Sequence, residues 1–131
     1  MKGLPKVGTT NETTFTVEPQ HAIEFASDGM PAVLSTPTLI GILERTARQS
    51  LLPFLDDGER SVGIEVEIRH LAPTAVGKTV TCTTRVIRAD GREVIFHVEA
   101  RDEREVIARG SHKRHVIRME SFARRLREKG G

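Results

Sequence analysis

The sequence predicts an α+β fold in which one long helix is wrapped by a curved antiparallel sheet, with a short helix closing the chain. Three observations predict it. Between Thr38 and Leu55 the apolar residues recur at helical spacing, and only this stretch does so at length. After it, the chain alternates apolar and polar residues in run after run, with tight turns between them. At 131 residues the chain has the length of one domain, here 1–131, with its own core. A lone helix buries its apolar stripe most simply against a sheet that curves around it.

The elements follow in order. Residues 1–12 are loosely held, and Thr13–Val17 is a β-branched first strand closed by Pro19. Gln20–Leu34 carries Gly29 and Pro31 with little periodicity and reads as a lid. Thr36 before Pro37 supplies a hydroxyl N-cap and a proline at the first helical position. The helix buries Leu39, Ile42, Leu43, Thr46, Ala47, Ser50, Leu51 and Phe54, ends near Pro53–Leu55, and gives way to a turn at Asp56–Glu59. Ser61–His70 alternates, with Val62, Ile64, Val66, Ile68 and His70 on the inner side and Gly63, Glu65, Glu67 and Arg69 on the other. Lys78–Ala89 meets Asp90–Gly91, a two-residue hairpin signal, and Arg92–Arg101 follows with Val94, Phe96, Val98 and Ala100 inward. A second turn at Asp102–Glu103 leads into Glu105–Ile117. Met119–Lys129 is a short amphipathic helix with Met119, Phe122, Ala123 and Leu126 on one face. Strand, lid, helix and a meander of four strands is the order of a hotdog fold, whose open sheet edge favours a homodimer.

Composition narrows the function classes. The net charge is +2, from 20 basic and 18 acidic residues, with no Trp, no Tyr and five Phe. That mixed surface lacks the basic, aromatic-studded face of a nucleic-acid binder. No apolar run approaches the ~20 residues of a membrane helix, and Met1–Thr14 has no signal-peptide core. Cys82, the sole cysteine, alternates with Val80, Thr84 and Val86 as an inert core thiol, which fits a reducing, cytoplasmic setting. His21, His97 and His115 lack metal-ligand spacing, so no metal is expected.

Against this background Glu44 stands out, a carboxylate beside Ile40 and Leu51 at the edge of the buried stripe. It either pairs with Arg48 one turn on or is held for chemistry. His70 extends the inner row of its strand toward the helix, where it could move protons near Glu44. Capping alone accounts for Thr36. Gly63 marks a bulge or a close approach of another backbone. His112 and Arg114 share the inner face of Val106, Ala108, Gly110 and Val116, and a buried arginine needs an acid, with Glu99 one choice, or a phosphate. The Arg124–Arg127 cluster reads as a solvated helix face.

Three segments, MPAVLSTPTLIGILERT (30–46), GERSVGIEVEIRHLAPTAVGKTVT (58–81) and IARGSHKRHVI (107–117), carry a family resemblance. In order and spacing the chain resembles the hotdog acyl-CoA thioesterases, above all the fluoroacetyl-CoA thioesterase family. The resemblance implies hydrolysis of an acyl-CoA at a dimer interface, without a further cofactor. It implies a catalytic set of Thr36, Glu44 and His70, a thioester-oxygen donor in the Gly63 N–H, and Arg114 near the site. It also implies a lid over the acyl group, to which Phe25 and Met30 belong. That family has an aromatic residue before the lid proline, where this chain has Met30. A methionine tolerates varied shapes and points to a general short- or medium-chain acyl pocket rather than fluoroacetyl selection. On this reading Glu44 attacks the carbonyl or activates water, His70 transfers protons, and Thr36 and Gly63 hold the substrate. The competing readings are an enoyl-thioester hydratase or dehydratase of the same fold and a non-catalytic acyl-CoA sensor.

Overall fold

A computed structural model describes residues 1–23 and 28–130. Strands β1 (Thr10–Thr16), β4 (Glu59–His70), β5 (Thr79–Asp90), β6 (Glu93–Arg101) and β7 (Val106–Arg118) form one antiparallel sheet in the order β1-β5-β6-β7-β4. Two-residue strands β2 (Ala22–Ile23) and β3 (Val33–Leu34) pair beside it. Helix α1 (Thr36–Leu51) runs into a 3-10 turn at Leu52–Phe54, and helix α2 (Met119–Glu128) follows β7. The expected architecture is present, with the first strand starting three residues before the expected Thr13.

The core lies between α1 and the concave face of the sheet. Leu39, Ala47 and Leu51 of α1 are fully buried against Val80, Cys82 and Val86 of β5 and Val94, Phe96, Val98 and Ala100 of β6. These last four are the expected inward residues of their strand. Burial pushes the Cys82 thiol up to about 12, so it stays protonated and unreactive. Polar bonds also lash α1 to β1: Asn11 Nδ2 donates to the Thr46 carbonyl at 3.0 Å, and the Thr46 and Thr13 hydroxyls meet at 2.8 Å. Gly91 turns the β5–β6 hairpin at φ +61°, a conformation that favours glycine.

Two expectations need correction. The β4 register shifts between Gly63 and Glu65, so Ile64 is an extra, bulged residue. Before it Ser61 and Gly63 pair with Val116 and Arg114 and face inward, while Val62 pairs with His115 on the outer face. After it Val66, Ile68 and His70 take the inner face, as expected. Unbroken alternation in the sequence concealed the phase change, which places Gly63 on the helix side. Glu59 is not a turn residue but begins β4 and is 4% exposed. Its carboxylate accepts from the Asp56 N–H at 2.8 Å and Arg92 Nη1 at 2.9 Å, with the Met1 amine at 3.0 Å. The expected short helix α2 is present; none of its residues is buried, and Met119, Phe122 and Leu126 stand 41%, 41% and 48% exposed.

Candidate active site

At the start of α1 the cap is Ser35, not Thr36. Ser35 has extended backbone (φ −78°, ψ 147°), and its Oγ accepts from the Thr38 N–H at 3.3 Å. Thr36 is thereby the first helical residue and its hydroxyl is spared from capping. It lies 2.8 Å from His70 Nδ1, at the end of β4. Among the described residues His70 Nε2 is buried without a hydrogen-bond partner. Burial lowers the His70 pKa below its ordinary value, only partly opposed by the Ala72 backbone, so the ring is neutral at neutral pH. A neutral imidazole with one nitrogen on a hydroxyl and the other unpaired can accept or deliver a proton. The pair borders a cavity of about 280 Å³ with Ile23, Val33, Leu34 and Leu71.

Glu44 lies eight residues further along α1, about 12 Å at 1.5 Å per residue. It does not take Arg48 as its partner. Its Oε2 is 3.6 Å from Arg114 Nη1 and 3.9 Å from His112 Nε2, both on β7. Arg114 is 5% exposed and faces Glu44 rather than Glu99, which pairs with Arg109 in the sheet. Its Nε donates to Ser61 Oγ at 2.9 Å, its Nη2 to the Ser61 carbonyl at 2.8 Å, and its Nη1 lies 3.1 Å from His112 Nε2. Burial pulls the Arg114 pKa down, and Glu44 opposes that shift. A cavity of about 340 Å³ opens here, lined by Gly41, Glu44, Arg45, Arg48 and Arg114.

Gly63 sits beneath this group. A Cβ at that position would come 2.5 Å from Glu44 Oε2 and 3.0 Å from His112 Cε1. The close approach at Gly63 is thus that of a side-chain carboxylate, not of another backbone. Gly110 is the opposite case, since a Cβ there would run into the backbone carbonyl of Glu67.

The sequence-selected residues thus fall into two groups within one chain: Thr36 with His70, and Glu44 with Gly63 and Arg114. Met30 is 51% exposed and does not border the Thr36 cavity, and Phe25 lies outside the described residues. Ser61 and the bridging role of His112 went unassigned in the sequence. The inner-face position of His112 on β7 was legible, but the bulge that brings Ser61 beneath Arg114 was not. Among the described residues no three His, Cys, Asp or Glu side chains gather as metal ligands, and no helix is long and apolar enough to cross a membrane.

Residues 17–120 match the family model described as FlK: Fluoroacetyl-CoA-specific thioesterase. The chain is 32% identical to the fluoroacetyl-CoA thioesterase of Streptantibioticus cattleyicolor, across 98% of this chain and 97% of that one. A variant of the FlK enzyme in complex with fluoroacetate and CoA superposes with a TM-score of 0.82 at 30% identity, covering 90% and 99% of the two chains. A hot-dog-like protein from Thermanaerovibrio acidaminovorans gives a TM-score of 0.87 at 28% identity over 95% and 93%. The fold and these matches define a hotdog thioester hydrolase acting on acyl-CoA. Within that class, the chain belongs to the fluoroacetyl-CoA-specific thioesterase family.

Proposed function

We propose that this enzyme hydrolyses a short- or medium-chain acyl-CoA to the free acid and CoA, and that it does so as a homodimer. The observation that carries the proposal is the division of the site: Thr36 and His70 stand at one end of α1, and Glu44, Gly63 and Arg114 about 12 Å along it. Both groups line the β4 side of the molecule. β4 is an edge strand with Ile64 54% and Val66 37% exposed, the open apolar edge that invites a second copy. Antiparallel pairing of two β4 edges carries His70 of the partner subunit toward the Glu44 group, giving two composite sites per dimer.

In such a site the thioester carbonyl lies alongside Gly63 and Glu44. Glu44 attacks the carbonyl carbon, giving an anhydride that water cleaves, or it takes a proton from a water that attacks directly. The carbon–sulfur bond breaks and CoA leaves as thiolate; His70, neutral at the outset, takes up the proton released by the attacking water and passes it on to the thiolate, giving the thiol. The Gly63 N–H and Thr36 hydroxyl hold the substrate. Arg114, fixed beside Glu44, holds that carboxylate in place. The methionine at position 30, where the family carries an aromatic residue, is the sequence feature that favours a permissive acyl group over fluoroacetyl.

The test is thiol release from acetyl-, fluoroacetyl-, butyryl-, hexanoyl- and aryl-acyl-CoA, with Glu44→Ala in parallel and sedimentation to read the assembly. Release that collapses in the variant supports the reading. Acyl-CoA that binds without release overturns it.

A further inference from the structure

We infer that His112 is a positioning residue: it fixes the guanidinium of Arg114 so that one N–H edge faces Glu44. The inference rests on the reading that Glu44 carries the reaction. It names a residue whose effect passes entirely through Arg114.

The two ring nitrogens of His112 meet different partners. His112 Nδ1 lies 2.9 Å from the Glu65 carbonyl oxygen. A carbonyl only accepts, so Nδ1 carries the hydrogen and Nε2 presents a lone pair. That lone pair lies 3.1 Å from Arg114 Nη1, which only donates. The tautomer is thus set by β4 and read by Arg114. Neutrality follows the same logic, because a protonated Nε2 would oppose the guanidinium at hydrogen-bond distance. Burial and Arg114 lower the His112 pKa, and the Glu65 carbonyl and Glu44 oppose that.

The other side of Arg114 is held by Ser61, through Oγ and the backbone carbonyl. With His112 on Nη1, all three guanidinium nitrogens are engaged. A planar fork held at three corners has one orientation. In it, Nη1 is the nitrogen 3.6 Å from Glu44 Oε2. The imidazole itself is held by a near-parallel stack on Phe96, with centroids 6.3 Å apart and planes at 25°. At 2% exposure His112 has no opening to solvent, and its Nε2 has no proton to give Glu44 at 3.9 Å. Its influence on Glu44 therefore runs through the arginine.

Two substitutions separate positioning from mere filling of the core. Phenylalanine keeps the ring volume and the stack on Phe96 but offers Arg114 no acceptor. Glutamine loses the ring but can present an amide oxygen to Nη1. Filling predicts that His112→Phe is the better enzyme; positioning predicts that His112→Gln is. The expected result is a fall in kcat of about 100-fold in His112→Phe, the scale of an ångström-sized misplacement, with KM little changed. His112→Gln is expected to recover at least tenfold of that loss, even if its melting temperature is the lower of the two. Equal kcat in wild type and His112→Phe, or a Gln variant slower than the Phe variant, overturns the inference. A wild-type enzyme that releases no thiol, or a fully active Glu44→Ala, instead strikes the reading on which it rests.

Discussion

The two groups along α1 hold charge in opposite ways. Thr36 and His70 form an uncharged pair joined by one 2.8 Å contact, with His70 Nε2 left unpaired. Glu44 belongs to a charged group in which Arg114 is anchored at three corners, yet among the described residues the carboxylate itself makes only long contacts, 3.6 and 3.9 Å. The first arrangement suits moving a proton. The second suits holding a carboxylate in place while leaving it free to react. The difference teaches that burial and hydrogen bonding are concentrated on the partners of Glu44 rather than on Glu44, which is 39% exposed.

The sharpest way to break this comparison is to exchange the importance of the two groups. Glu44→Ala is expected to lower kcat by about 10²–10⁴-fold, the range for loss of a positioned acid or base. Gly63→Ala comes next, with a loss of up to about 100-fold in kcat. The added methyl meets the mobile end of Glu44, which can swing aside, so melting temperature should hardly change. Thr36→Ala removes one hydrogen bond worth about 1 kcal/mol, and its expected loss is under tenfold. Steady-state thiol release on all three variants checks the order. If Thr36→Ala falls as far as Glu44→Ala, the hydroxyl is the nucleophile and the assignment of the two groups reverses.

Gly110→Ala sharpens the comparison from the structural side. There the methyl meets backbone of β4, which cannot swing aside. The variant should lose about 1–3 kcal/mol of stability, the usual scale of overpacking, read by denaturant unfolding. Its kcat per folded molecule should stay near wild type. Two glycines on paired strands thus divide into one that clears a side chain for function and one that clears backbone for the fold.

How legible this was follows from the physics of each element. The α1 stripe, the inward row of β6 and the hairpin at Gly91 depend on periodicity and turn chemistry, and both are written locally in the sequence. Glu44 was legible because a carboxylate at a core edge violates the pattern. Its partner was not: Arg48 is one turn away in sequence, whereas Arg114 arrives through sheet pairing. The inward turn of Gly63 was hidden because the Ile64 bulge changes the phase of β4 while Val62, Ile64 and Val66 preserve an unbroken alternation. The N-cap was misread by one residue for a similar reason. Ser35 and Thr36 are both competent caps, and the choice is settled by His70, 34 residues later, engaging the Thr36 hydroxyl.

The smallest expected effect concerns Glu59, the carboxylate that contrasts most with Glu44. Glu59 begins β4, is 4% exposed, and has donors at 2.8, 2.9 and 3.0 Å. The Asp56 N–H leads in holding its pKa down, to about 2 against an ordinary 4.5, with the Met1 amine and Arg92 adding to it. A depressed carboxylate contributes stability above its unfolded value and loses it as pH falls toward the folded one. Wild type should therefore lose the Glu59 contribution progressively between about pH 4.5 and pH 2, whereas Glu59→Gln has none to lose. The variant should be the less stable protein at pH 7, and the gap should close as pH approaches 2. Thermal unfolding of both proteins across this range reads the gap directly, and a gap constant with pH would remove Glu59 as an ionised anchor of β4. The kcat of Glu59→Gln per folded molecule at neutral pH should match wild type, because the oxygens of Glu59 are taken up by bonds that hold the strand, while those of Glu44 make only contacts of 3.6 Å and longer among the described residues.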